Sequence, residues 1–518
     1  MDPDHELILW RTGRSSWIIF QIKCKRESMD RVLFSHSYFM RFDPKQWATG
    51  QPYPPLATIG AAALLRSRGF RVGLFDTMFV EDPFEVRALL DAQRPDFFVV
   101  YDDGFNYLTK MCLTNMREAA YRMIGLAKQR GCVVILSSSD STDHWKEYLE
   151  RGADFVLLGE GEQTLLELVE SIRSEVEDLA AIRGLAWMKN GMPYRTGARP
   201  VMRDLDVMPL PAWDLVDIES YRRVWLEHSG YFSLNIGTTR GCPFRCNWCA
   251  KPIYGNRYNA RSPKHVVSEL LMLKERYGFD HIWFCDDIFG LKPGWVNEFA
   301  ELVEEAGLSF RFKIQSRADL LVQENYVEAL ARAGCDNIWM GAESGSQKIL
   351  DAMDKGTTVE QIMEATTLVR EAGMRPSWFI QFGYPGETKE DIEKTVRMIN
   401  RWLPDSLGIS VSYPLPGTVF YDRVKADLKD KTNWTDSDEL KLMFRNTYSP
   451  DFYKRLHRYV HKSYRWHLAL KQVRELVVRP ARISGSALKK AASLFLYGPA
   501  SIVDRIKLSR YEAIGHNQ

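Results

Sequence analysis

Two series of short apolar runs alternate with helix-length amphipathic segments along this chain. Runs of Val, Leu, Ile and Phe without polar alternation are typical of parallel strands that are covered on both faces. The first series predicts a doubly wound α/β domain over 31–175, which would bind ligands at the carboxyl ends of its strands. Its predicted strands are RVLFSHSYF from Arg31, RVGLFDT from Arg71, DFFVVYD from Asp96, CVVILSS from Cys132 and ADFVLLG from Ala153.

A second series of strand-and-helix units begins at Ser233 with SLNIGTTRG and ends with SLGISVSYPL from Ser406. Six successive units of this kind predict a partial parallel (β/α)6 barrel over 231–430, with its functional groups on the loops that follow the strands. Ser262 and Pro263 mark the start of one intervening helix, because serine caps helix N-termini and proline suits the first turn.

Two segments lie outside these predicted domains. Residues 176–230 carry scattered prolines and no regular period, so we predict a linker with a small hairpin at Asn190-Gly191. Residues 435–518 are basic and aromatic and have a helical pattern, so we predict a helical C-terminal region.

The composition, 45% apolar and 26% charged, excludes a disordered or fibrous chain. The formal net charge of +2 hides an uneven distribution, since the last 68 residues hold 14 Lys and Arg against 4 Asp and Glu. That region has a net charge of +10, and the preceding 450 residues have a net charge of −8. Basic tails of this kind contact phosphate, anionic lipid or an acidic partner.

Eight cysteines in 518 residues do not make a disulfide framework. No basic region is joined to an apolar run of signal-peptide length near the N-terminus, and Met29, before the first predicted strand, is a candidate start. No apolar run is long enough for a transmembrane helix. We therefore expect a cytoplasmic protein.

Three cysteines crowd into the loop after the first predicted barrel strand. The segment GTTRGCPFRCNWC places Cys242, Cys246 and Cys249 in a C-x3-C-x2-C spacing. Three thiolates so close can ligate three corners of a cubane iron–sulfur cluster, which leaves one iron open for a small molecule. A zinc site completed by a distant histidine, or three unrelated core thiols, are the alternatives.

This loop, with the aromatic Trp248 just before the last cysteine, resembles the radical S-adenosylmethionine superfamily. In that superfamily the open iron of a 4Fe-4S cluster binds S-adenosylmethionine, and one electron cleaves it to methionine and a 5′-deoxyadenosyl radical. The order of the domains is similar to that of the cobalamin-binding branch, which includes methyltransferases of unreactive carbon or phosphorus and the anaerobic cyclase of chlorophyll synthesis. The resemblance covers roughly Arg31 to Lys425 and implies a first domain of the cobalamin-binding type.

The resemblance also implies cofactor contacts at the ends of later barrel strands. A carboxylate is a suitable partner for the amino group of the methionine moiety, and an arginine for its carboxylate. The family places another carboxylate on the ribose hydroxyls and a glycine-proline turn beside the adenine. In this sequence the matching residues are Asp286 and Asp287, Arg317, Glu343, and Gly383 with Pro385 in FGYPGET.

In the first domain, the resemblance implies a corrinoid site on two turns. The residues concerned are Ser137 and Ser139 after the CVVILSS strand, and Gly159, Glu160 and Gly161 beside the nucleotide tail. The D-x-H-x-x-G motif that supplies a cobalt-binding histidine is absent, and the region reads Asp102-Asp103-Gly104-Phe105-Asn106. We therefore expect no histidine ligand from this motif, and we interpret His36 as a turn histidine.

These features together predict a cobalamin-dependent radical S-adenosylmethionine enzyme that methylates, oxidises or cyclises an unactivated carbon. Its cofactors would be a 4Fe-4S cluster, S-adenosylmethionine and cobalamin. The resemblance implies an external electron donor of the flavodoxin or ferredoxin type and a small-molecule or lipid-like substrate. One alternative keeps the cluster chemistry without cobalamin, and another is a non-enzymatic iron–sulfur or zinc-binding protein.

The tail has two interpretations. Its aromatic residues can pack on the barrel while its charges are solvated, or it can form an interfacial helix that makes a peripheral contact with anionic lipid. His457 and His461 are four residues apart and could form a metal pair. A nucleic-acid partner is not expected, because no RNA-binding module is recognisable.

Overall fold

The computed structural model describes residues 7–11, 17–21, 29–105, 113–175, 178–251, 253–428, 433–478 and 485–511. Near the N-terminus, β1 (Leu7–Arg11) and β2 (Trp17–Gln21) pair antiparallel in a sheet of their own. The sequence pattern predicted no element there.

Seven strands form the first large sheet. They are β3 (Arg31–Ser35), β4 (Arg71–Phe75), β5 (Phe97–Tyr101), β6 (Val133–Ser137), β7 (Phe155–Leu157), β8 (Leu185–Lys189) and β9 (Met192–Arg195). Their order is β4-β3-β5-β6-β7-β8-β9, and the strands from β4 to β7 are parallel. From β3, the next strand in the chain, β4, lies on one side and the following strand, β5, lies on the other. The carboxyl ends of β3 and β5 therefore flank the switch point at which such sheets bind ligands.

Helices cover both faces of this sheet and bury two apolar cores against it. Every residue of β5 is buried, as a strand between two helical layers requires. The helices are α1 (Pro44–Thr49), α2 (Leu56–Ser67), α3 (Val86–Gln93), α4 (Thr114–Lys128), α5 (Ser139–Asp143), α6 (Trp145–Glu150) and α7 (Glu162–Arg173).

The segment 176–230, which the sequence pattern assigned to a linker, contributes to both domains. Strands β8 and β9 add antiparallel to the edge of the first sheet, and their turn at Asn190 and Gly191 has φ values of 51° and 75°. The first sheet therefore extends beyond the predicted boundary at residue 175. Farther on, α8 (Ile218–Ser229) buries Tyr221 and Trp225 in the core of the barrel.

The second large sheet has six parallel strands in the order of the chain. They are β10 (Ser233–Ile236), β13 (His281–Phe284), β14 (Arg311–Ser316), β15 (Cys335–Glu343), β16 (Arg375–Phe382) and β17 (Ser406–Val411). The strands β11 (Thr239–Arg240) and β12 (Asn259–Ala260) pair antiparallel beside it. The predicted partial (β/α)6 barrel is confirmed.

Amphipathic helices alternate with the barrel strands. Ser262 caps the first of them by accepting a hydrogen bond from the backbone N–H of His265, 3.1 Å away, as predicted. The helices are α9 (Pro263–Tyr277), α10 (Trp295–Glu305), α11 (Ala318–Leu321), α12 (Tyr326–Arg332), α13 (Gln347–Ala352), α14 (Val359–Glu371), α15 (Lys389–Trp402) and α16 (Val419–Val424).

The C-terminal region is helical, as predicted, and consists of α17 (Pro450–Val478), α18 (Gly485–Ala492) and α19 (Leu494–Leu508). The first half of α17 packs on the barrel, and the hydroxyl of Tyr464 donates a hydrogen bond of 2.5 Å to the carbonyl of Pro404. Within the described ranges, no helix is both long and apolar enough to cross a membrane. The buried apolar residues of α17 are Phe452, Tyr453, Leu456, Val460, Tyr464 and Ala469.

Candidate cofactor site at the carboxyl ends of two sheets

The three motif cysteines lie on the loop between β11 and β12, and none of them forms a disulfide. Cys242 is buried against Ile288 and Leu320, whereas Cys246 and Cys249 are partly exposed. Burial raises the pKa of Cys242, and the charge of Lys251 opposes that rise. In the part of the chain that the structure describes, no three His, Cys, Asp or Glu side chains already converge as metal ligands. The loop offers the three-thiol donor set of a cubane cluster and no histidine that would complete a zinc site.

Asn247, inside the cysteine motif, anchors this loop to the barrel. Its side-chain amide donates hydrogen bonds of 2.8 Å to the carbonyl of Ala352 and to the carboxylate of Asp354. Its side-chain oxygen accepts a hydrogen bond of 2.8 Å from the hydroxyl of Tyr384. Sequence reasoning missed this residue, although its position between two cysteines is a signal that could have found it.

Arg317, at the end of β14, lies beside the cysteine loop. One guanidinium nitrogen is 3.8 Å from the sulfur of Cys246, and the guanidinium carbon is 3.6 Å from the centre of the Phe244 ring. Asp319 holds the same guanidinium through an ion pair of 2.9 Å. A positive charge at this position would offset the negative charge that three thiolates bring to a cluster.

Glu343 and Lys355 form a buried ion pair of 2.9 Å near the same sulfur. Glu343 has a φ of 56° at an irregularity in the register of β15 and β16, a conformation that non-glycine residues keep mainly at functional sites. Burial alone would lower the pKa of Lys355, but the charges of Glu343 and Cys246 hold it above its ordinary value. Lys355 was not predicted, because it follows α13 in a loop without a recognisable motif.

Asp286 anchors the segment that leads into the cysteine loop. Its carboxylate accepts hydrogen bonds from the hydroxyl and the backbone N–H of Thr238, at 2.5 and 2.7 Å, and from the N–H of Thr239 at 2.8 Å. Burial raises its pKa to about 6. The neighbouring Asp287 is partly exposed, and its charge acts on Cys242. Asp286 thus positions the loop, and Asp287 is the more accessible of the two predicted carboxylates.

Gly383 and Pro385 form the predicted turn after β16. Gly383 has a φ of 78° and donates its N–H to the carboxylate of Glu387 at 2.7 Å. Its carbonyl accepts a hydrogen bond of 2.6 Å from the side chain of Asn446. A Cβ at Gly383 would lie 3.2 Å from the ring of Tyr453, so helix α17 closes on this turn. The turn is therefore shaped by the C-terminal region as well as by the barrel.

The remaining predicted residues lie at the carboxyl edge of the first sheet. Ser137 ends β6, and the hydroxyl of Ser139 is buried without a hydrogen-bond partner among the described residues. A Cβ on Gly161 would lie 2.5 Å from the hydroxyl of Ser137, and Gly159 has a φ of 78°. The positive φ of Gly159 and the close approach of the Ser137 side chain to Gly161 both favour glycine, and the unpartnered hydroxyl of Ser139 fits a polar ligand at this edge.

Arg240 joins this edge to the cysteine loop. Its guanidinium donates to the carboxylates of Glu160 and Glu162 at 2.5 and 2.8 Å, and all three side chains are nearly buried. The carboxylate of Glu160 also accepts the backbone N–H of Met202 at 2.5 Å. Burial and the neighbouring charge of Glu162 raise the pKa of Glu160, while Arg240 opposes the rise. Arg240 was not predicted, although it stands two residues before Cys242.

The gap between the two sheets is narrow in this structure. A cavity of about 60 Å³ is lined by residues of both domains, including Leu56, Phe105 and Arg240. The rings of Phe105 and Tyr254 lie 5.7 Å apart within the same junction. Pockets for drug-sized ligands measure about 300 Å³ or more, so a corrin ring would enter only if side chains such as these moved.

The segment from Asp102, where the D-x-H-x-x-G motif is absent, is held by hydrogen bonds to neighbouring residues of the first domain. Asp102 accepts hydrogen bonds of 2.6 and 2.7 Å from the backbone and hydroxyl of Ser37, and burial raises its pKa. His36 is buried, with its Nε2 atom 2.9 Å from the carboxylate of Asp76. It therefore has the surroundings of a turn histidine. Asn106 lies outside the described residues.

Comparisons with known proteins agree with this geometry. Residues 236–399 match the Radical SAM superfamily. An uncharacterized methyltransferase of Pyrococcus horikoshii is 30% identical over 54% of this chain and 60% of its own. The anaerobic magnesium-protoporphyrin IX monomethyl ester cyclase of Cereibacter sphaeroides is 29% identical over 56% of this chain and 48% of its own. The matched part of the chain therefore spans less than two thirds of either relative.

A solved structure shares the whole architecture. The cobalamin-dependent S-adenosylmethionine radical enzyme OxsB, with aqua-cobalamin and S-adenosylmethionine bound, aligns with a TM-score of 0.69 at 16% identity, over 96% of this chain and 74% of that one. The barrel described above is a radical S-adenosylmethionine domain. Residues 236–399 belong to that superfamily by this match, and the chain as a whole shares the fold of OxsB. The predicted membership and fold class are confirmed.

Proposed function

We propose that this protein is a cobalamin-dependent radical S-adenosylmethionine enzyme that methylates, oxidises or cyclises an unactivated carbon of its substrate. The observation that carries the proposal is the loop of three cysteines, none in a disulfide, at the carboxyl edge of the barrel, beside Arg317 and Lys355. The named methyltransferase and cyclase relatives support these reaction classes.

The chain's own residues have separate tasks in this proposal. Cys242, Cys246 and Cys249 bind the cluster, and Arg317 and Lys355 compensate its negative charge. When bound, the cluster and S-adenosylmethionine supply the 5′-deoxyadenosyl radical, and cobalamin supplies methyl transfer or assists oxidation. The apolar side chains around Cys242 exclude water from the cluster.

The other predicted residues orient S-adenosylmethionine and the corrinoid. Asp287 faces the methionine amino group, Glu343 the ribose hydroxyls, and Gly383 with Pro385 the adenine. Trp248 has a buried indole N–H without a hydrogen-bond partner among the described residues, which suits a contact with a bound cofactor. Ser137, Ser139 and the turn of Gly159, Glu160 and Gly161 hold the corrinoid.

Three partners complete the proposal. An external flavodoxin or ferredoxin delivers the electron, the substrate is a small or lipid-like molecule, and the C-terminal region makes a peripheral contact with a membrane. The basic charge of that region, +10 over the last 68 residues, supports the membrane contact.

The test is anaerobic reconstitution of the full chain with iron, sulfide and hydroxocobalamin, followed by reduction in the presence of S-adenosylmethionine. We expect 5′-deoxyadenosine to form and the corrinoid to be retained on a desalting column. Labelled methyl transfer with formation of S-adenosylhomocysteine would indicate methylation, whereas 5′-deoxyadenosine alone would indicate oxidation or cyclisation. Cleavage without retained corrinoid would support the cobalamin-free alternative, and no cleavage would support a non-enzymatic role.

A further inference from the structure

Helix α19 has the reverse of the usual polarity of a surface helix. Its buried residues are Gly498, Ser501 and Asp504, which recur every three positions and face α17. Five of its large apolar residues point away from the protein and are between 48% and 81% exposed. A helix that covers a globular core normally turns its apolar face inward. The outward residues, here named the α19 apolar face, are Phe495, Leu496, Ile502, Val503 and Ile506.

Specific contacts hold α19 in this orientation. The buried carboxylate of Asp504 accepts hydrogen bonds from Lys462 at 2.6 Å and from Arg455 at 3.3 Å. A Cβ on Gly498 would lie 3.1 Å from the indole nitrogen of Trp466, so the two helices touch closely at that point. Rotation of α19 to bury its apolar face would break these ion pairs and leave the Asp504 carboxylate unpaired.

The surroundings of the α19 apolar face are basic. Among the described residues of α18 and α19, the one acidic side chain is Asp504, and it is buried. Further exposed apolar residues, Val477 and Val478, end helix α17 nearby in the chain. An apolar stripe bordered by cations is the pattern of helices that lie in the headgroup region of anionic membranes. The exposed cations of this region are Lys489, Lys490, Arg505, Lys507 and Arg510.

We propose that α19 docks flat on an anionic phospholipid bilayer, with its apolar face among the acyl chains and its cations at the headgroups. A second copy of this chain is a poorer occupant, because a two-fold symmetric contact would bring the same cations together. The inference deepens the proposed membrane contact and assigns it to α19. The aromatic residues at the start of α17 are not available for that contact, because they are buried against the barrel.

The position of α19 connects docking to the cofactor site. Tyr453, near the start of α17, contacts Gly383 in the adenine turn, and Trp466, on the same helix, contacts Gly498 of α19. Thirteen residues of helix separate Tyr453 from Trp466, a distance of about 20 Å at 1.5 Å per residue. Docking would hold the barrel mouth near the bilayer, which favours a lipid-like substrate in the proposed reaction.

The test is co-sedimentation of the full chain with phosphatidylcholine vesicles, with and without phosphatidylglycerol. We expect binding to the anionic vesicles, and the double variant Phe495→Ser/Leu496→Ser should bind at least about tenfold more weakly, since it removes two large apolar side chains from the buried face. The matched control is Met192→Ser/Val207→Ser, which removes two equally exposed apolar side chains from a distant surface and should bind like the wild type.

A second pair of variants tests the charge. Lys489→Gln/Lys490→Gln should weaken binding to anionic vesicles by about tenfold or more, because each cation near such a surface adds to the electrostatic attraction. Lys264→Gln/Lys389→Gln removes two exposed lysines elsewhere and should leave binding unchanged. High salt should reduce the wild-type binding toward the level of the lysine variant.

Two results would overturn the docking proposal. One is a wild-type protein that does not co-sediment with anionic vesicles at low salt. The other is a concentration-dependent dimer that Phe495→Ser/Leu496→Ser dissociates, since a second copy would then cover the face. Formation of 5′-deoxyadenosine by the same variants separates this proposal from the enzymatic one, because docking variants should retain cleavage even where vesicle binding is lost.

Discussion

The two parallel sheets of this protein carry different kinds of site at the same structural position, the carboxyl ends of their strands. At the barrel edge, each buried cation has a carboxylate partner within the barrel, as Arg317 has Asp319 and Lys355 has Glu343. At the first-sheet edge, Glu160 and Glu162 take their cation from the other domain, through Arg240. The barrel site is self-contained, whereas the first-sheet site is complete only when the domains are together.

The largest predicted effect concerns the barrel edge alone. Cys246→Ala removes one of three cluster ligands, so we expect 5′-deoxyadenosine formation to fall to background after anaerobic reconstitution, measured by liquid chromatography. Cys132→Ala, which removes a buried thiol of the first domain, should retain cleavage. Cleavage by the Cys246→Ala variant at the wild-type rate would refute the cluster assignment.

The next effect tests whether the barrel edge balances its own charges. Glu343→Gln leaves Lys355 buried without a counter-charge, which typically costs about 3–5 kcal/mol of unfolding free energy. The double variant Glu343→Gln/Lys355→Met removes both charges and should recover much of that loss in urea unfolding. Both variants should bind S-adenosylmethionine more weakly. Equal stability of the single and double variants would show that the pair is not coupled.

An effect of similar size is expected at the junction of the domains. Arg240→Met leaves two carboxylates unpaired, and hydrogen bonds to charged groups are each worth about 1.5–3 kcal/mol. We expect the first domain to unfold at a lower urea concentration and the retention of corrinoid to change. The control Arg66→Met removes an exposed ion pair of 2.7 Å with Asp214 and should cost at most about 1 kcal/mol. If Arg240→Met destabilised the barrel instead of the first domain, the first-sheet site would not be the one that depends on the contact between the domains.

The last effect is a pH dependence at Glu387, a buried barrel-edge carboxyl group whose pKa burial raises to about 8 from the ordinary 4.5. The folded state holds its proton where the unfolded state has lost it, so this group makes stability fall as pH rises from 4.5 to 8, by at most about 1.4 kcal/mol per pH unit. Glu387→Gln keeps an acceptor for the N–H of Gly383 and should flatten that slope in thermal melts. If stability fell with pH as steeply in the variant as in the wild type, a group other than Glu387 would be responsible for the pH dependence.

The sequence predicted the parts of this molecule that local patterns control. Continuous apolar runs predicted the strands, and the spacing of Cys242, Cys246 and Cys249 predicted the loop that carries them. Arg240, Asn247 and Lys355 were missed, because their roles depend on residues about 80, 105 and 12 positions away in the chain. The hairpin of β8 and β9 was predicted, but its pairing with β7 depends on tertiary contacts that the pattern does not contain.

The hydrogen bond from Asn446 to the carbonyl of Gly383 has a consequence for protein engineering. A truncated protein that ends at the predicted barrel boundary, residue 430, would lose this bond and the contact of Tyr453 with the same turn. Exchanging C-terminal regions between relatives would likewise alter the FGYPGET turn together with any substrate pocket. Chimeras of this superfamily branch should therefore transfer the FGYPGET turn and the C-terminal helices as one unit.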